Sequence, residues 1–285
     1  MTEISKRCQQ YIGILLITIF IRLLFYTISK IIGPRITPLP CDTKDISFPF
    51  KKSTVPSLPF SIAMYVITIL IIMITEYYKM DGIKKEFIDK GKKPRFQRKV
   101  FLFVILKIFV LNQIGQCIVF CILRVSKYSV GKLRPNFMDI CKPNLMNIPC
   151  INGFYKSYQC NSTSTDDLID ARLSFFSGHT AYGFYFAIFI IMYMFIQRTS
   201  LKGKKLAYIS TPLWIAVATL VGISRVTDYK HHILDVIIGF VVGTSVAIGI
   251  ALYFEKKIKE EEQIFICNDT IDDKITFKAK NKQIC

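Results

Sequence analysis

The sequence predicts an all-α, polytopic membrane protein with six transmembrane helices, and two observations carry that prediction. The 285 residues are 52% hydrophobic although 20% are charged, and the mean hydropathy is +0.38, which is more apolar than an ordinary soluble domain. Six apolar stretches each approach the roughly 20 residues that a helix needs to cross the hydrocarbon core of a bilayer. They cover residues 11–32, 60–78, 100–123, 179–196, 206–223 and 233–254.

The first three stretches differ in how clearly they indicate a spanning helix. Lys6 and Arg7 precede the first as in a signal peptide, but its apolar run is longer than a signal core and no small-residue cleavage site follows. We therefore interpret it as a retained helix, interrupted by Arg22. The second has the least distinct ends. The third contains Lys107 near its inner end, where a long side chain can reach the interface.

Lysine and arginine in the short loops predict how the helices are oriented. Residues 79–99 contain nine of them and residues 197–205 contain four, and such loops stay on the cytoplasmic side. We expect both termini to be cytoplasmic and the loops 33–59, 124–178 and 224–232 to be extracellular or lumenal. The net charge of +18 therefore belongs mostly to cytoplasmic loops, and we expect no nucleic-acid partner.

No internal repeat divides the chain, which is predicted to form a single membrane domain over residues 1–285. Residues 255–285 mix Lys with Glu and Asp and have little apolar periodicity, which predicts a mobile cytoplasmic tail. The glycosylation sequon at Asn268 lies in this tail, so we expect it to stay unmodified.

Three of the nine cysteines, Cys141, Cys150 and Cys160, cluster in one predicted outer loop. None of them forms a C-x-x-C pair, so a zinc site is not expected. Because outer loops face an oxidising compartment, we expect one disulfide in this loop, with Cys150–Cys160 as the chosen pair. The sequon at Asn161 lies in the same loop and predicts N-glycosylation there.

All three histidines lie in two short segments, and a third short segment supplies spaced cations. The segments are 127–135 (KYSVGKLRP), 176–179 (FSGH) and 224–235 (SRVTDYKHHILD). In the predicted topology the first follows the third helix, the second opens the fourth, and the third joins the fifth to the sixth. All of them therefore lie on the extracytoplasmic face, and together they predict an enzyme that acts on a phosphate.

The cations and the predicted helix start suit a phosphate group. Lys127 supplies a point charge, and Arg134 and Arg225 supply forked donors that match two oxygens. The alternative is that these side chains anchor helices at lipid headgroups. Ser177 can donate its hydroxyl or cap a helix, and Gly178 lets the backbone approach an anion at the helix start.

The histidines supply the titratable groups that phosphate hydrolysis needs. His179, in the first turn of the fourth helix, suits proton transfer to a leaving alkoxide. His231 and Asp235 are spaced i, i+4, so a helix that begins near His231 would let the carboxylate orient that imidazole for attack on phosphorus. We interpret His232 as structural and Asp228 as shaping its loop. Metal binding by His231 and Asp235 is a rival, but further ligands are lacking.

The three segments resemble the signature blocks of the type 2 phosphatidic acid phosphatase (PAP2) superfamily, which also includes vanadium haloperoxidases. The first block, Lys-x6-Arg-Pro, matches within 127–135, and the third, Ser-Arg-x5-His-x3-Asp, matches within 224–235. The second, usually Pro-Ser-Gly-His, has Phe176 in place of proline. The surrounding strings resemble the animal lipid phosphate phosphohydrolases of the plasma membrane, and the resemblance runs from about residue 54 to residue 254.

The resemblance implies a PAP2/haloperoxidase-like helical core over about residues 100–254 and an integral-membrane phosphatase that needs no metal or other cofactor. Its substrates would be phosphatidate, lysophosphatidate, sphingosine 1-phosphate and ceramide 1-phosphate. His231 would form a phosphohistidine, oriented by Asp235, and His179 would protonate the leaving lipid alkoxide and then activate water. The residues that would hold the phosphate are Lys127, Arg134, Ser177, Gly178 and Arg225.

Three alternatives stay open beside this prediction. One is a catalytically silent relative that binds a lipid phosphate or a partner, and another is a phosphatase for a soluble phosphate ester. The third is a transporter or channel, because charged residues inside spans, here Arg22 and Lys107, often mark a transport path. The expected partners are lipid phosphates and the bilayer, while the preferred lipid and a homo-oligomeric state are left open.

Overall fold

The computed structural model describes residues 3–89, 94–155, 157–162, 164–197 and 201–280. Its helices, in chain order, are α1 (Glu3–Ile32), α2 (Ser57–Asp89), α3 (Pro94–Val130), α4 (Phe137–Cys141), α5 (Thr165–Asp170), α6 (Gly178–Gln197), α7 (Leu201–Thr227) and α8 (Ile233–Lys280). The strands β1 (Cys150–Ile151) and β2 (Phe154–Tyr155) form an antiparallel hairpin between α4 and α5. The predicted all-α class is confirmed, with this hairpin as a small addition.

Within the described chain, six helices are long and apolar enough to cross a membrane, which confirms the six predicted spans. The spans are Ser5–Ile32, Ser57–Lys79, Phe101–Val130, Gly178–Gln197, Lys205–Thr227 and Ile233–Lys257. Large apolar side chains on the outer helices, such as Leu16, Phe20 and Leu213, are mostly exposed. An apolar surface of this extent is stable against lipid and unstable in water.

Helix α6 is the centre of the bundle. It packs against α2, α3, α7 and α8, while α1 packs mainly on α3. Helix α8 comes close to the start of α6 because Gly239 and Gly243, one turn apart, lie against the carbonyl groups of Ser177 and Ala181. Even a single Cβ at either position would meet those carbonyls, so this approach requires glycine at both.

The ends of the spanning helices differ from those predicted by hydropathy. Helices α3 and α7 continue past residues 123 and 223, so Lys127 and Arg225 lie on their last turns rather than in the following loops. Helix α8 begins at Ile233, so His231 precedes the helix. Hydropathy marks only the part of a helix that lies in hydrocarbon, and these ends are polar.

The described residues of segments 33–56 and 131–177 form a small cap over one end of the bundle. The cap has its own apolar core, to which the first segment contributes Leu39 and Ile46 and the second contributes Leu133 and Phe137. The two segments therefore fold against each other, although the sequence separates them by two spanning helices.

Two disulfides in the described chain hold the cap together, Cys41–Cys150 and Cys141–Cys160. The predicted Cys150–Cys160 pair is therefore wrong. The backbone N–H of Cys41 donates to the carbonyl of Gly153 at 2.9 Å, which places the first cap segment beside the β-hairpin. This contact brings the Cα atoms of Cys41 and Cys150 to 6.1 Å, and it leaves Cys160 to pair with Cys141.

Several predictions about the inner loops, the C-terminal tail and the glycosylation site stay predictions. Helix α8 extends to Lys280, and residues 281–285 lie outside the described residues, so the mobility and sidedness of 255–285 stay predictions. Residues 90–93 of the lysine-rich loop also lie outside them. Asn161 is exposed on the cap, and its glycosylation stays a prediction.

Candidate active site

Residues 173–179, which lead into α6, form the centre of the site, and the other two predicted segments bind them. Lys127, on the last turn of α3, donates from Nζ to the carbonyl of Leu173 at 2.5 Å. The backbone N–H of Ser177 donates to the carbonyl of Asp235, in the first turn of α8, at 2.9 Å. The structure thus brings the three segments together at one end of the bundle.

His231 is buried in the link between α7 and α8 and is held by a backbone carbonyl. Its Nδ1 lies 2.7 Å from the carbonyl oxygen of Ser174. Because a carbonyl only accepts, Nδ1 carries the proton and Nε2 keeps its lone pair. Burial, followed by the charges of Lys127 and Arg134, lowers the pKa of His231 well below its ordinary value. The imidazole is therefore neutral at physiological pH, as a nucleophile must be.

The carboxylate of Asp235 does not orient His231 directly, which corrects the prediction. Its Oδ1 accepts from Lys132 Nζ at 2.7 Å, and its Oδ2 accepts from the Ser174 hydroxyl at 2.6 Å. Oδ2 also accepts from the backbone N–H of His232 at 3.1 Å and lies 3.2 Å from that residue's Nδ1. His232, interpreted as structural, is thus a direct partner of this carboxylate.

The start of α8 explains the difference. The i, i+4 spacing places two side chains on one face only if both residues are helical. His231 precedes the helix. The Asp235 carboxylate instead accepts from the backbone N–H of His232, the residue that caps the start of α8. Ser174 joins the two groups, because its carbonyl holds His231 and its hydroxyl binds Asp235. Nothing in the sequence pattern had singled out Ser174.

His179 lies in the first turn of α6, as expected, beside the same cations. Its ring is hydrogen-bonded to the backbone of Val55 and lies 5.3 Å, centroid to centroid, from that of Phe60. Its Nε2 is buried and has no hydrogen-bond partner among the described residues. After burial and the charges of Lys127 and Arg134, His179 also contributes to the lowered pKa of His231, so the two rings lie near each other. A buried ring nitrogen without a partner is available to a bound substrate.

The start of α6 is arranged as an anion site. The hydroxyl of Ser177 accepts from the backbone N–H of Thr180 at 3.4 Å and from its hydroxyl at 2.9 Å, which leaves the Ser177 proton free to donate. The first N–H groups of a helix have no partner within the helix and point towards an anion. A Cβ at Gly178 would lie 2.9 Å from the end of the Leu123 side chain, so a larger residue there would require that side chain to shift.

The two predicted phosphate-binding arginines are held differently. Arg134 donates from Nη2 to the exposed carboxylate of Asp170 at 2.7 Å, and its buried Nε has no partner among the described residues. Arg225 is 1% exposed and donates to the hydroxyl of Ser224 and, at 3.0 Å, to the carboxylate of Asp228. Both guanidinium groups are close enough to His179 to affect its charge.

The cap segment before α2 completes the site, and the sequence did not predict its participation. Asp228 accepts from the backbone N–H of Thr54 at 2.8 Å and from its hydroxyl at 2.7 Å, in addition to its bond with Arg225. Its role is therefore larger than shaping its own loop. Nearby, Lys230 lies over the Phe50 ring at 3.9 Å, and burial followed by the charge of Arg134 lowers its pKa.

The arrangement as a whole is suited to a phosphoryl group. It offers a neutral imidazole with a free lone pair, a second imidazole with an unpartnered nitrogen, a helix start and several cations. Such donors stabilise the charge on the equatorial oxygens during phosphoryl transfer. In the part of the chain that the structure describes, no three His, Cys, Asp or Glu side chains are grouped as metal ligands.

The comparisons with known proteins agree with this chemistry. The model of the PAP2 superfamily matches residues 106–259, which is more than half of the chain and includes all three segments. Phospholipid phosphatase 1 of Mus musculus is 28% identical over 223 residues, which is 77% of this chain and 75% of that protein. Phospholipid phosphatase homolog 1.2 homolog of Caenorhabditis elegans is 28% identical over 247 residues, which is 84% and 72% of the two chains.

A shorter alignment gives a higher identity. Phospholipid phosphatase 1 of Rattus norvegicus is 36% identical over 141 residues, which is 48% of this chain and 49% of that protein. No solved structure matches the chain at a comparable level of significance.

Proposed function

The chain belongs to the PAP2 superfamily, and from that membership we propose that it hydrolyses phosphomonoesters of membrane lipids through a phosphohistidine intermediate. The proposed substrates are phosphatidate, lysophosphatidate, sphingosine 1-phosphate and ceramide 1-phosphate. Several relatives are named phospholipid phosphatases, and six apolar helices make the chain an integral, multi-pass membrane protein. The observation that carries the proposal is a buried, neutral His231 beside the unpartnered Nε2 of His179.

The geometry supports a two-step displacement. The lone pair of His231 Nε2 forms a bond to phosphorus while the bond from phosphorus to the lipid oxygen breaks. His179 donates a proton to that oxygen, so the lipid leaves as an alcohol. His179 then takes a proton from a water molecule, whose oxygen attacks phosphorus and breaks the bond to His231. Phosphate is released, and the Ser174 carbonyl keeps the Nδ1 proton of His231 in place throughout.

The cations account for how the phosphate is held and stabilised. Three cations donate to the phosphoryl oxygens, namely Lys127, Arg134 and Arg225. The hydroxyl of Ser177 and the helix start at Gly178 supply further donors. The negative charge of the substrate offsets these cations and favours a protonated His179. A metal ion would be repelled by the same positive charges, so the proposed reaction needs no metal, and a chelator should leave it unchanged.

The proposed location of the site is extracellular or lumenal. The cap lies at the same end of the bundle as the site. It contains two disulfides, Cys41–Cys150 and Cys141–Cys160, and the exposed Asn161. Because disulfides persist in oxidising compartments, this end is proposed to face the extracellular or lumenal side. Lys79 and Lys205 lie at the opposite ends of their spanning helices from the cap, where cations on the cytoplasmic side are expected. We place the protein in the plasma membrane with cytoplasmic termini, as the resemblance of the sequence implies.

A phosphate-release panel tests the proposal. Purified protein in detergent micelles is given phosphatidate, sphingosine 1-phosphate and a sugar phosphate, with and without EDTA, and His231→Ala serves as the matched control. We expect release from the lipids, no effect of EDTA and no release by the variant. Release from the sugar phosphate alone would indicate a soluble-ester phosphatase, and no release at all would indicate a silent relative. A second measurement supplies lipid phosphate outside intact cells. Its hydrolysis there would indicate that the site faces the extracellular side.

A further inference from the structure

Residues 48–55 form a strap that leads from the cap to α2 and lies against the proposed active site. Two of the three predicted segments hold it there. The backbone N–H of Phe48 donates to the carbonyl of Pro135 at 3.0 Å, and the Phe48 ring stacks on that of Tyr229 with 4.6 Å between centroids. Lys51 lies over the other ring of this pair, with its Nζ 4.3 Å from the Tyr229 centroid. The strap belongs to none of the signature segments, and the proposed reaction gives it no role.

One buried carboxylate joins the strap to a cation of the site. Asp228 is 5% exposed, and its Oδ1 accepts from the Thr54 hydroxyl at 2.7 Å. Its Oδ2 accepts from the backbone N–H of Thr54 at 2.8 Å and from Arg225 Nη2 at 3.0 Å. Hydrogen bonds to an ionised acceptor are roughly twice as strong as neutral ones. Thr54 is therefore fixed through its backbone and its side chain at once.

The next residue of the strap holds the proposed proton donor. The ring of His179 is hydrogen-bonded to the backbone of Val55. Because Nε2 of this ring has no partner among the described residues, the bond is made at Nδ1. Pro56 follows Val55, and a residue before proline is restricted to extended backbone. Val55 therefore has little freedom to move independently of Thr54, and a displacement of Thr54 is passed on to the imidazole.

We propose that Thr54 is a positioning residue for the proton transfer from His179 to the leaving alcohol. Its hydroxyl, bound to Asp228, fixes the Val55 backbone, and that backbone sets the direction in which His179 Nε2 faces the substrate. The link matters only where the leaving oxygen must receive a proton. A lipid alkoxide is a strong base and needs that proton, whereas 4-nitrophenolate is a stable anion and leaves without it. The leaving group therefore separates this role from phosphate binding by Arg225.

This inference rests on the proposed lipid phosphatase activity, and the test separates the two. Wild-type protein, Thr54→Val and Thr54→Ser are compared for kcat/KM on phosphatidate and on 4-nitrophenyl phosphate in micelles. This parameter reports the steps up to departure of the leaving group. Valine has the shape of threonine without its hydroxyl, and serine keeps the hydroxyl. Thr37→Val is the matched control, because the Thr37 hydroxyl donates at 2.8 Å to the carbonyl of Gly131.

We expect Thr54→Val to lower kcat/KM on phosphatidate about tenfold, which is a fraction of what a well-placed general acid contributes, and to change that on 4-nitrophenyl phosphate less than about twofold. Thr54→Ser should restore the wild-type ratio of the two activities, and Thr37→Val should not alter it. Thr54→Ala removes the same hydroxyl and keeps the test informative if Thr54→Val does not fold.

Equal losses on both substrates, or no loss on phosphatidate, overturn the inference and leave the proposed function standing. Equal losses would mean that Thr54 acts through phosphate binding or through the fold of the cap. Absence of phosphate release from phosphatidate by the wild type overturns the proposed function itself.

Discussion

The close approach of α8 to the start of α6 yields a graded prediction. A Cβ at Gly239 would lie 2.7 Å from the carbonyl oxygen of Ser177, whereas carbon and oxygen atoms of neighbouring chains normally stay about 3.3 Å apart. Gly239→Ala therefore forces the two helices apart by about 0.6 Å. A Cβ at Gly243 would meet the Ala181 carbonyl more closely still, so Gly243→Ala requires a larger shift. Gly249, in the same helix, has open space around it and provides the control.

The shift acts directly on the proposed catalytic groups. Ser177 immediately precedes the helix that carries His179, and Asp235 lies in the first turn of the helix that carries the glycines. Because a misplacement of about 1 Å can cost about 100-fold in rate, we expect Gly239→Ala to lower kcat about tenfold and Gly243→Ala to lower it further. Overpacking should also cost about 1–3 kcal/mol of unfolding free energy, partly offset by up to about 1 kcal/mol of helix propensity.

The assay combines phosphate release from phosphatidate micelles with thermal unfolding in detergent. The expected order of kcat is wild type equal to Gly249→Ala, then Gly239→Ala, then Gly243→Ala. If Gly243→Ala keeps kcat within about twofold of the wild type while remaining folded, the spacing of α6 and α8 does not position the catalytic groups and the reasoning is refuted.

Three further predictions test single features of the site and cap. Ser174→Ala keeps the backbone carbonyl that holds His231 but removes the hydroxyl that donates to Asp235, so kcat should fall about tenfold with KM unchanged. A loss of kcat/KM that comes equally from a raised KM would contradict a positioning role. The lowered pKa of His231 predicts that the acidic limb of kcat/KM lies below about pH 6.5. As pH falls below that value, the unfolded chain protonates this histidine before the folded protein does, so the free energy of unfolding should also decrease. An acidic limb above about pH 6.5 would contradict the assignment of His231 as the nucleophile. Cys41→Ser opens a covalent loop spanning 109 residues, which should cost about 4–5 kcal/mol and lower Tm; an unchanged Tm would place the stability of the cap elsewhere.

The sequence predicted the helices well and their ends poorly, for one physical reason. Burial in hydrocarbon requires a long apolar run, so the six spans are visible in composition alone. The last turns of α3 and α7 are polar and carry Lys127, Ser224 and Arg225. A polar helical turn has no apolar run that would mark it in the sequence. The Gly239-x-x-x-Gly243 spacing is typical of closely packed helices and indicates the contact between α6 and α8, although it was not among the predicted features.

The identities of the site residues were likewise easier to predict than their contacts. The segments pointed to His179 and His231, but the link from His231 through Ser174 to Asp235 depends on a backbone carbonyl and on the residue at which α8 begins. The disulfides illustrate the same limit. The outer loops hold four cysteines, Cys41 among them, and four cysteines allow three pairings that spacing alone does not separate.

The central claim is that His231 attacks phosphorus, and trapping the intermediate tests it most directly. Protein in micelles is mixed briefly with lysophosphatidate that carries a radiolabelled phosphate, then quenched in alkali, digested and mapped. We expect label on the peptide that contains His231, stable in alkali, lost in acid and absent from His231→Ala. Label on a different residue, or full turnover by His231→Ala, would contradict it.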